Sequence, residues 1–275
     1  MRRVSLFFIS SFVVLSLLGC QYDDLVDGNK VSDDINAGEI VAGVHDQVDQ
    51  TKVIVDETIE VFKGDPVKTY DVIYTLNEVL SLTFDRILSK EDLLPLLDQL
   101  DYYGIKGTFF SSFEQITMYP EAVNEIIERG HSIESNALYK TNLKSLKYDD
   151  IYQLMLVNSR EIEEMTGSSP TYVRLHSSKK YSDVNKVASQ LGMSGVVHYS
   201  YQLRGLKTDD EDKLMRYMNR AVARGGILSM DPEDAHAIPY LMEAVESVNF
   251  NVIPLTELIA LDQGRKSFKE IEGAS

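Results

Sequence analysis

From residue 78 onward the chain alternates short apolar runs with amphipathic stretches. The runs lie at 79–84, 107–110, 131–134, 172–175, 195–199, 226–230 and 251–253. Each is four to six residues or shorter and rich in β-branched or aromatic side chains, which predicts buried strands. The stretches between them have helical spacing. Ser89 with Asp92 three residues later predicts a capping box, Leu93, Leu97 and Leu100 an inner face, and Gly104 a stop. Pro95 falls inside this helix and is expected to kink it. Pro120 opens a second helix that runs to Arg129 and stops at Gly130. A third spans 149–165 ahead of Gly167, and Leu214, Met215, Met218 and Val222 mark the buried face of another. Strand alternating with helix predicts parallel pairing through right-handed crossovers, and seven such units suffice for an incomplete barrel.

The first 72 residues read differently. Arg2-Arg3, an apolar run from Val4 to Leu18 and then Gly19-Cys20 form a secretory signal too short to span a membrane comfortably. Leu17-Leu18-Gly19-Cys20 resembles the bacterial lipobox. That resemblance implies cleavage before Cys20 and its diacylation, and so a membrane tether without a spanning segment. Gln21 rather than Asp after the Cys implies, in a Gram-negative envelope, the periplasmic side of the outer membrane. Residues 20–72 are an acidic tether followed by an N-terminal extension. From 33 to 62, Val41, Val44, Val48, Val55, Ile59 and Phe62 suit an amphipathic helix ended by Gly64-Asp65-Pro66, whereas the run Val53-Ile54-Val55 favours strands. Residues 263–275 are a C-terminal tail.

A formal charge of −16 disfavours a phosphate backbone as partner. One Cys excludes an internal disulfide and any cysteine-rich metal site. No nucleophile elbow, P-loop or dinucleotide-binding glycine motif is present.

An ordered set of motifs carries more weight than any of these. Leu82-Thr83-Phe84-Asp85 ends the first run. Tyr103-Gly104-Ile105-Lys106-Gly107-Thr108-Phe109-Phe110 follows, then Arg129-Gly130-His131-Ser132-Ile133-Glu134, Thr166-Gly167, Arg174, Gly226-Ile227-Leu228-Ser229-Met230-Asp231 and Val252-Ile253-Pro254-Leu255. This order resembles the polysaccharide deacetylases, the NodB-homology group or carbohydrate esterase family 4, over a domain at 73–262. The resemblance implies a distorted (β/α)7 barrel that hydrolyses N-acetyl sugars with a divalent metal such as zinc. The metal polarises the carbonyl and acidifies its water.

The family's site is altered here. Asp85 matches the base and Arg174 the arginine that orients it. Arg86 stands where the family's metal-binding Asp is found, Asn136 and Lys140 stand where its two His ligands are found, and Met230 replaces the acid His beside a matching Asp231. No metal cofactor is therefore expected, and the resemblance implies a glycan-handling domain with hydrolysis lost or much reduced. The alternative is an active hydrolase of a carbon–nitrogen bond working through a rebuilt site. His131, Glu134, His176, His198 and His236 are the side chains from which one would be rebuilt. His131 and Glu134 are read as pointing to opposite faces of one strand, and His198 as a strand residue. His176, two residues after Arg174, is the candidate for the same mouth. Ser177 and Ser178 read as a polar loop. Tyr139, Tyr199 and Tyr201 are candidates for the rim, while Tyr102 and Tyr103 read as packing at a helix end. Glycan and, through the lipid, membrane are the expected partners; nucleic acid is not.

Overall fold

A computed structural model describes residues 59–139, 142, 145–175, 182–208 and 210–264. The signal, the tether and the helix-or-strand question over residues 33–58 lie outside them. So do Lys140, His176, Ser177 and Ser178.

Among the described residues nine strands form one parallel sheet. They are β1 (Lys68–Tyr70), β2 (Val79–Phe84), β3 (Thr108–Ser111), β4 (Ser132–Ser135), β5 (Tyr172–Arg174), β6 (Gly195–Val197), β7 (Tyr201–Leu203), β8 (Gly226–Met230) and β9 (Asn251–Val252). The order across the sheet is β1-β6-β5-β4-β3-β2-β8-β7, and β9 pairs with the start of β2. Around it lie α1 (Lys90–Tyr102), α2 (Phe113–Met118), α3 (Pro120–Glu128), α4 (Tyr148–Thr166), α5 (Ser182–Gln190), α6 (Glu211–Ala221), a 3-10 turn (Pro232–Ala237), α7 (Ile238–Ser247) and α8 (Leu255–Ala260).

All seven apolar runs are strands. β2, the central one, is buried along its whole length. Two strands carried too little pattern to be read: Lys68-Thr69-Tyr70 has no aliphatic residue, and β7 is three residues long with a Gln at its middle. β1 belongs to the stretch assigned to the extension, so the end of that stretch is part of the sheet. Residues 59–67 lie across α4 and α5. The Phe62 amide donates to Tyr148 Oη, the Val67 amide to Ser189 Oγ, and Ile59, Phe62 and Val67 pack on the apolar cluster there. None of residues 59–62 is helical, so the amphipathic pattern that ran to Phe62 does not end in a helix.

Local signals hold where the chain is short-range determined. The Asp92 amide donates to Ser89 Oγ, and Leu93, Leu96, Leu97 and Leu100 are buried on the core side of α1. The helix continues through Pro95, which is exposed, and is not ended by it. Gly167 closes α4 in the left-handed region, with φ 73°. Gly225, at φ 68°, has a second constraint. A Cβ there would sit 1.8 Å from the Ile73 carbonyl oxygen, because β2, β8 and residue 73 meet at that turn. Tyr103 packs on the core, but Tyr102 is 81% exposed and is not packing.

Parallel strands bring the loops that follow β2, β4, β5, β7 and β8 to one end of the sheet. Register sets the neighbours: Phe84 lies beside Met230, Leu203 beside Met230, and Phe109 beside Phe84.

Candidate functional site

Asp85, the first residue past β2, is gripped from three sides. Its Oδ1 faces Arg174 Nε at 3.1 Å, too obliquely for a hydrogen bond but as a close ion pair. Its Oδ2 accepts from Ser229 Oγ at 2.5 Å. Its main-chain carbonyl accepts from Asn136 Nδ2 at 2.8 Å. The carboxylate keeps 13% of its side-chain surface open.

Arg174 is fully buried, the largest such side chain among the described residues. Its Nη2 donates to Thr83 Oγ1, which in turn donates to the Leu228 carbonyl. The guanidinium lies 4.0 Å from the Phe110 ring centre and 5.9 Å from that of Tyr199. Burial pulls its pKa below the ordinary arginine value, against the attraction of Asp85.

Arg86 reaches the other way. Its Nη2 donates to Asp231 Oδ1 at 2.7 Å and to Glu233 Oε1 at 2.8 Å, and Lys207 Nζ holds Glu233 Oε2 at 3.2 Å. Partial burial works against the charged form, but the two carboxylates more than offset it and raise the Arg86 pKa. This ion chain joins the loops after β2, β8 and β7. Asp231 also caps the 3-10 turn by accepting from the Glu233 amide. Met230, 1% exposed, shares the apolar core. Asn136 is fully buried, and its amide nitrogen is spent on the carbonyls of Asp85 and Phe110.

Asp85, Arg86, Ser229, Met230 and Asp231 line a cleft of about 410 Å³, with Tyr139 and residues 202–207 as further wall. Asp85, Asn136, Arg174 and Met230 thus lie at one end of the sheet. Three contributors were not read from the sequence. Ser229 and Thr83 are polar positions inside otherwise apolar buried strands, a signal that was there to be used. The wall at 202–207 carried no motif.

The donor set does not suit a divalent metal. At three positions where the sequence resemblance leads one to expect ligands or an acid stand a guanidinium already ion-paired, a buried amide nitrogen and a thioether, and Asp85 is held by Arg174 and Ser229. Among the described residues no three His, Cys, Asp or Glu side chains stand together as a metal site needs.

The three described histidines pack into or against the fold. His131 precedes β4 rather than lying in it; its Nδ1 accepts from the Gly107 amide at 3.1 Å and its ring meets Phe109 edge-on. Burial drives its pKa to about 4. Glu134 is not across the strand from a strand His but buried in β4, where its Oε2 accepts from the Thr171 and Tyr172 amides, both at 2.8 Å. His198 follows β6 instead of sitting in it, half-buried against Tyr199, its pKa lowered by burial and then by Arg174. His236 Nε2 lies 3.1 Å from the Leu206 carbonyl. Of the tyrosines, Tyr139 lines the cleft, Tyr199 faces Arg174, and Tyr201 packs edge-on against Tyr217.

Glu134 makes stability pH-dependent. Burial raises its pKa from 4.5 to about 8, against the two amide donors. The folded chain then keeps a proton that the unfolded chain releases above pH 4.5. Its contribution is complete below pH 4.5 and is lost as pH rises through 8. Glu134→Gln keeps an oxygen acceptor for both amides. Thermal unfolding from pH 5 to 8 should show the parent losing about 1 kcal/mol per pH unit relative to this variant. Parallel curves would show that Glu134 is ionised in the fold.

A family model described as polysaccharide deacetylase matches residues 74–196. The peptidoglycan-N-acetylglucosamine deacetylase of Listeria monocytogenes is 27% identical over 154 residues, covering 56% of this chain but 30% of that protein. The chain therefore spans about a third of the length of that relative. The chitooligosaccharide deacetylase of Bradyrhizobium is 20% identical over 195 residues, 64% of this chain and 89% of its own. Among solved structures, a CE4 family pseudoenzyme from Bacillus anthracis superposes with a TM-score of 0.65 at 20% identity, over 73% of this chain and 72% of its own. A Bacillus subtilis family 4 carbohydrate esterase superposes with a TM-score of 0.60 at 19% identity, over 70% and 85%. Sequence match and shared sheet agree: residues 74–196 match the polysaccharide deacetylase model, and the sheet is the fold of the family 4 carbohydrate esterases.

Proposed function

We propose that this chain is a glycan-handling member of the family, tethered to the cell envelope by lipid, in which hydrolysis of N-acetyl sugars is lost or much reduced. One observation carries the reading. At the position where the family places a metal-binding Asp, Arg86 is locked between Asp231 and Glu233. A fixed cation repels a divalent ion by about 2 kcal/mol at close range even in water, and more in a cleft. Met230 offers no proton to a leaving amine. The fold persists without activity in the Bacillus anthracis neighbour, which is described as a pseudoenzyme.

Metal analysis and acetate release test this directly. The purified chain should carry no stoichiometric zinc, cobalt or nickel, and should release acetate from N-acetylglucosamine oligomers at the rate of a no-protein blank. Deacetylation abolished by a chelator would overturn the reading in favour of the rebuilt active site.

The tether rests on Leu17-Leu18-Gly19-Cys20. No helix among the described residues is long and apolar enough to cross a membrane. Cys20→Ser should move at least nine-tenths of the protein out of the detergent-extracted membrane fraction or leave it uncleaved. Retention like that of the parent would end the lipoprotein proposal.

A further inference from the structure

The cleft holds four carboxylates, and three of them have a cation. Asp85 faces Arg174, Asp231 takes Arg86, and Glu233 takes both Arg86 and Lys207. Asp234 lines the same cleft and is only 6% exposed, yet its carboxylate has no hydrogen bond or ion pair among the described residues. Its own amide is turned to the Asp231 carbonyl at 3.0 Å, which fixes the residue without serving its side chain. A buried carboxylate in that condition is costly unless a partner arrives from outside.

We infer that Asp234 is the anchor of an ammonium subsite, which takes the free amine of a glucosamine unit in a glycan already deacetylated at that position. This rests on the glycan-handling reading above. The surplus at Asp234 is one charge, because its carboxylate neighbours are already neutralised by Arg86 and Lys207. A divalent metal would need three donors grouped together, and no such group exists among the described residues. A primary ammonium needs one carboxylate and neutral acceptors, and the cleft adds Gln202 and Tyr139 to Asp234. Burial, followed by the charge of Asp231, raises the Asp234 pKa; His236 and Lys207 pull the other way, and Glu233 adds to the rise. A bound cation relieves that strain.

Calorimetric titration of the full chain in detergent at pH 6 tests the assignment, with a fully deacetylated glucosamine tetramer and its N-acetylated counterpart as probes. The free-amine tetramer should bind at least tenfold more tightly than the acetylated one. Asp234→Asn, nearly the same size, should erase that preference while unfolding at the parent's temperature or above it. Lys207→Ala removes a mostly exposed cation that competes for the same field, and should tighten the free-amine tetramer two- to fivefold. Equal binding of the two tetramers, or a preference that survives Asp234→Asn, overturns the subsite and leaves the glycan reading standing. Binding of neither tetramer overturns both. Spermidine binding as tightly as the amine tetramer also overturns the subsite, since it shows attraction to charge without a sugar.

Discussion

Combining Arg86→Asp, Asn136→His, Lys140→His and Met230→His should give a chain that binds about one zinc and releases acetate from N-acetylglucosamine oligomers roughly 10²-fold faster than the parent, or more. The four positions are those the family resemblance names, and the three described ones share an end of the sheet. Arg86 and Asp85 are adjacent, Asn136 reaches the Asp85 carbonyl at 2.8 Å, and Met230 pairs in register with Phe84, one residue before Asp85. Replacing Arg86 removes the cation and unpairs Asp231, while Lys207 still holds Glu233, so the cleft gains negative charge where a metal is wanted. An imidazole at 230 supplies a proton donor, and general acid catalysis alone is worth roughly 10²–10⁴-fold. Met230→His by itself should gain nothing, because without the other replacements no metal activates water. A folded quadruple variant that takes up no zinc would mean that the backbone at these positions has left the family's geometry. In that case the loss of function would be more than a change of side chains.

Arg174→Met should cost about 3–5 kcal/mol, because it removes the fully buried cation that faces the Asp85 carboxylate, itself only 13% exposed. For a chain of this size that corresponds to a melting temperature lower by roughly 10 °C. The pair itself is a different matter. Arg174 is fully buried, and its Nη1 has no hydrogen-bond partner, so holding it there costs desolvation that the ion pair only partly offsets. The double variant Arg174→Met with Asp85→Asn should therefore recover most of the loss. Scanning calorimetry of the two single variants and the double closes the cycle. If the losses simply add, Arg174 stabilises the fold through Phe110 and Thr83, and its pairing with Asp85 contributes little.

Most of the architecture was legible along the chain because it depends on neighbours in sequence. β2, β3, β5, β6 and β8 are buried along their whole length and so appeared as short, largely apolar runs. Caps such as Ser89 and stops such as Gly167 act within one helical turn. β1 and β7 were not legible, since three residues with polar members have no period to detect, and pairing with β6 and β8 makes them strands. The same reason hid the end of the N-terminal extension, where Ile59 and Phe62 gain their meaning from the surfaces of α4 and α5. Pro95 sits on the exposed side of α1, which runs on past it.

For the site, the chain alone supplied the expectation that Arg86, Asn136, Lys140 and Met230 stand where the resembling family has ligands and an acid. Only the tertiary structure decided what those replacements do. Asn136 does not face the cleft as a failed ligand but pins the Asp85 backbone, Met230 joins the core, and Arg86 turns away from Asp85 to Asp231 and Glu233. Ser229 and Thr83 became site residues for the same reason, each a polar side chain whose partner lies more than 140 residues away or across a strand. Charge and hydrogen bonding between segments so distant in sequence depend on distances in space, and these exist only once the parallel sheet has brought the ends of β2, β5 and β8 together.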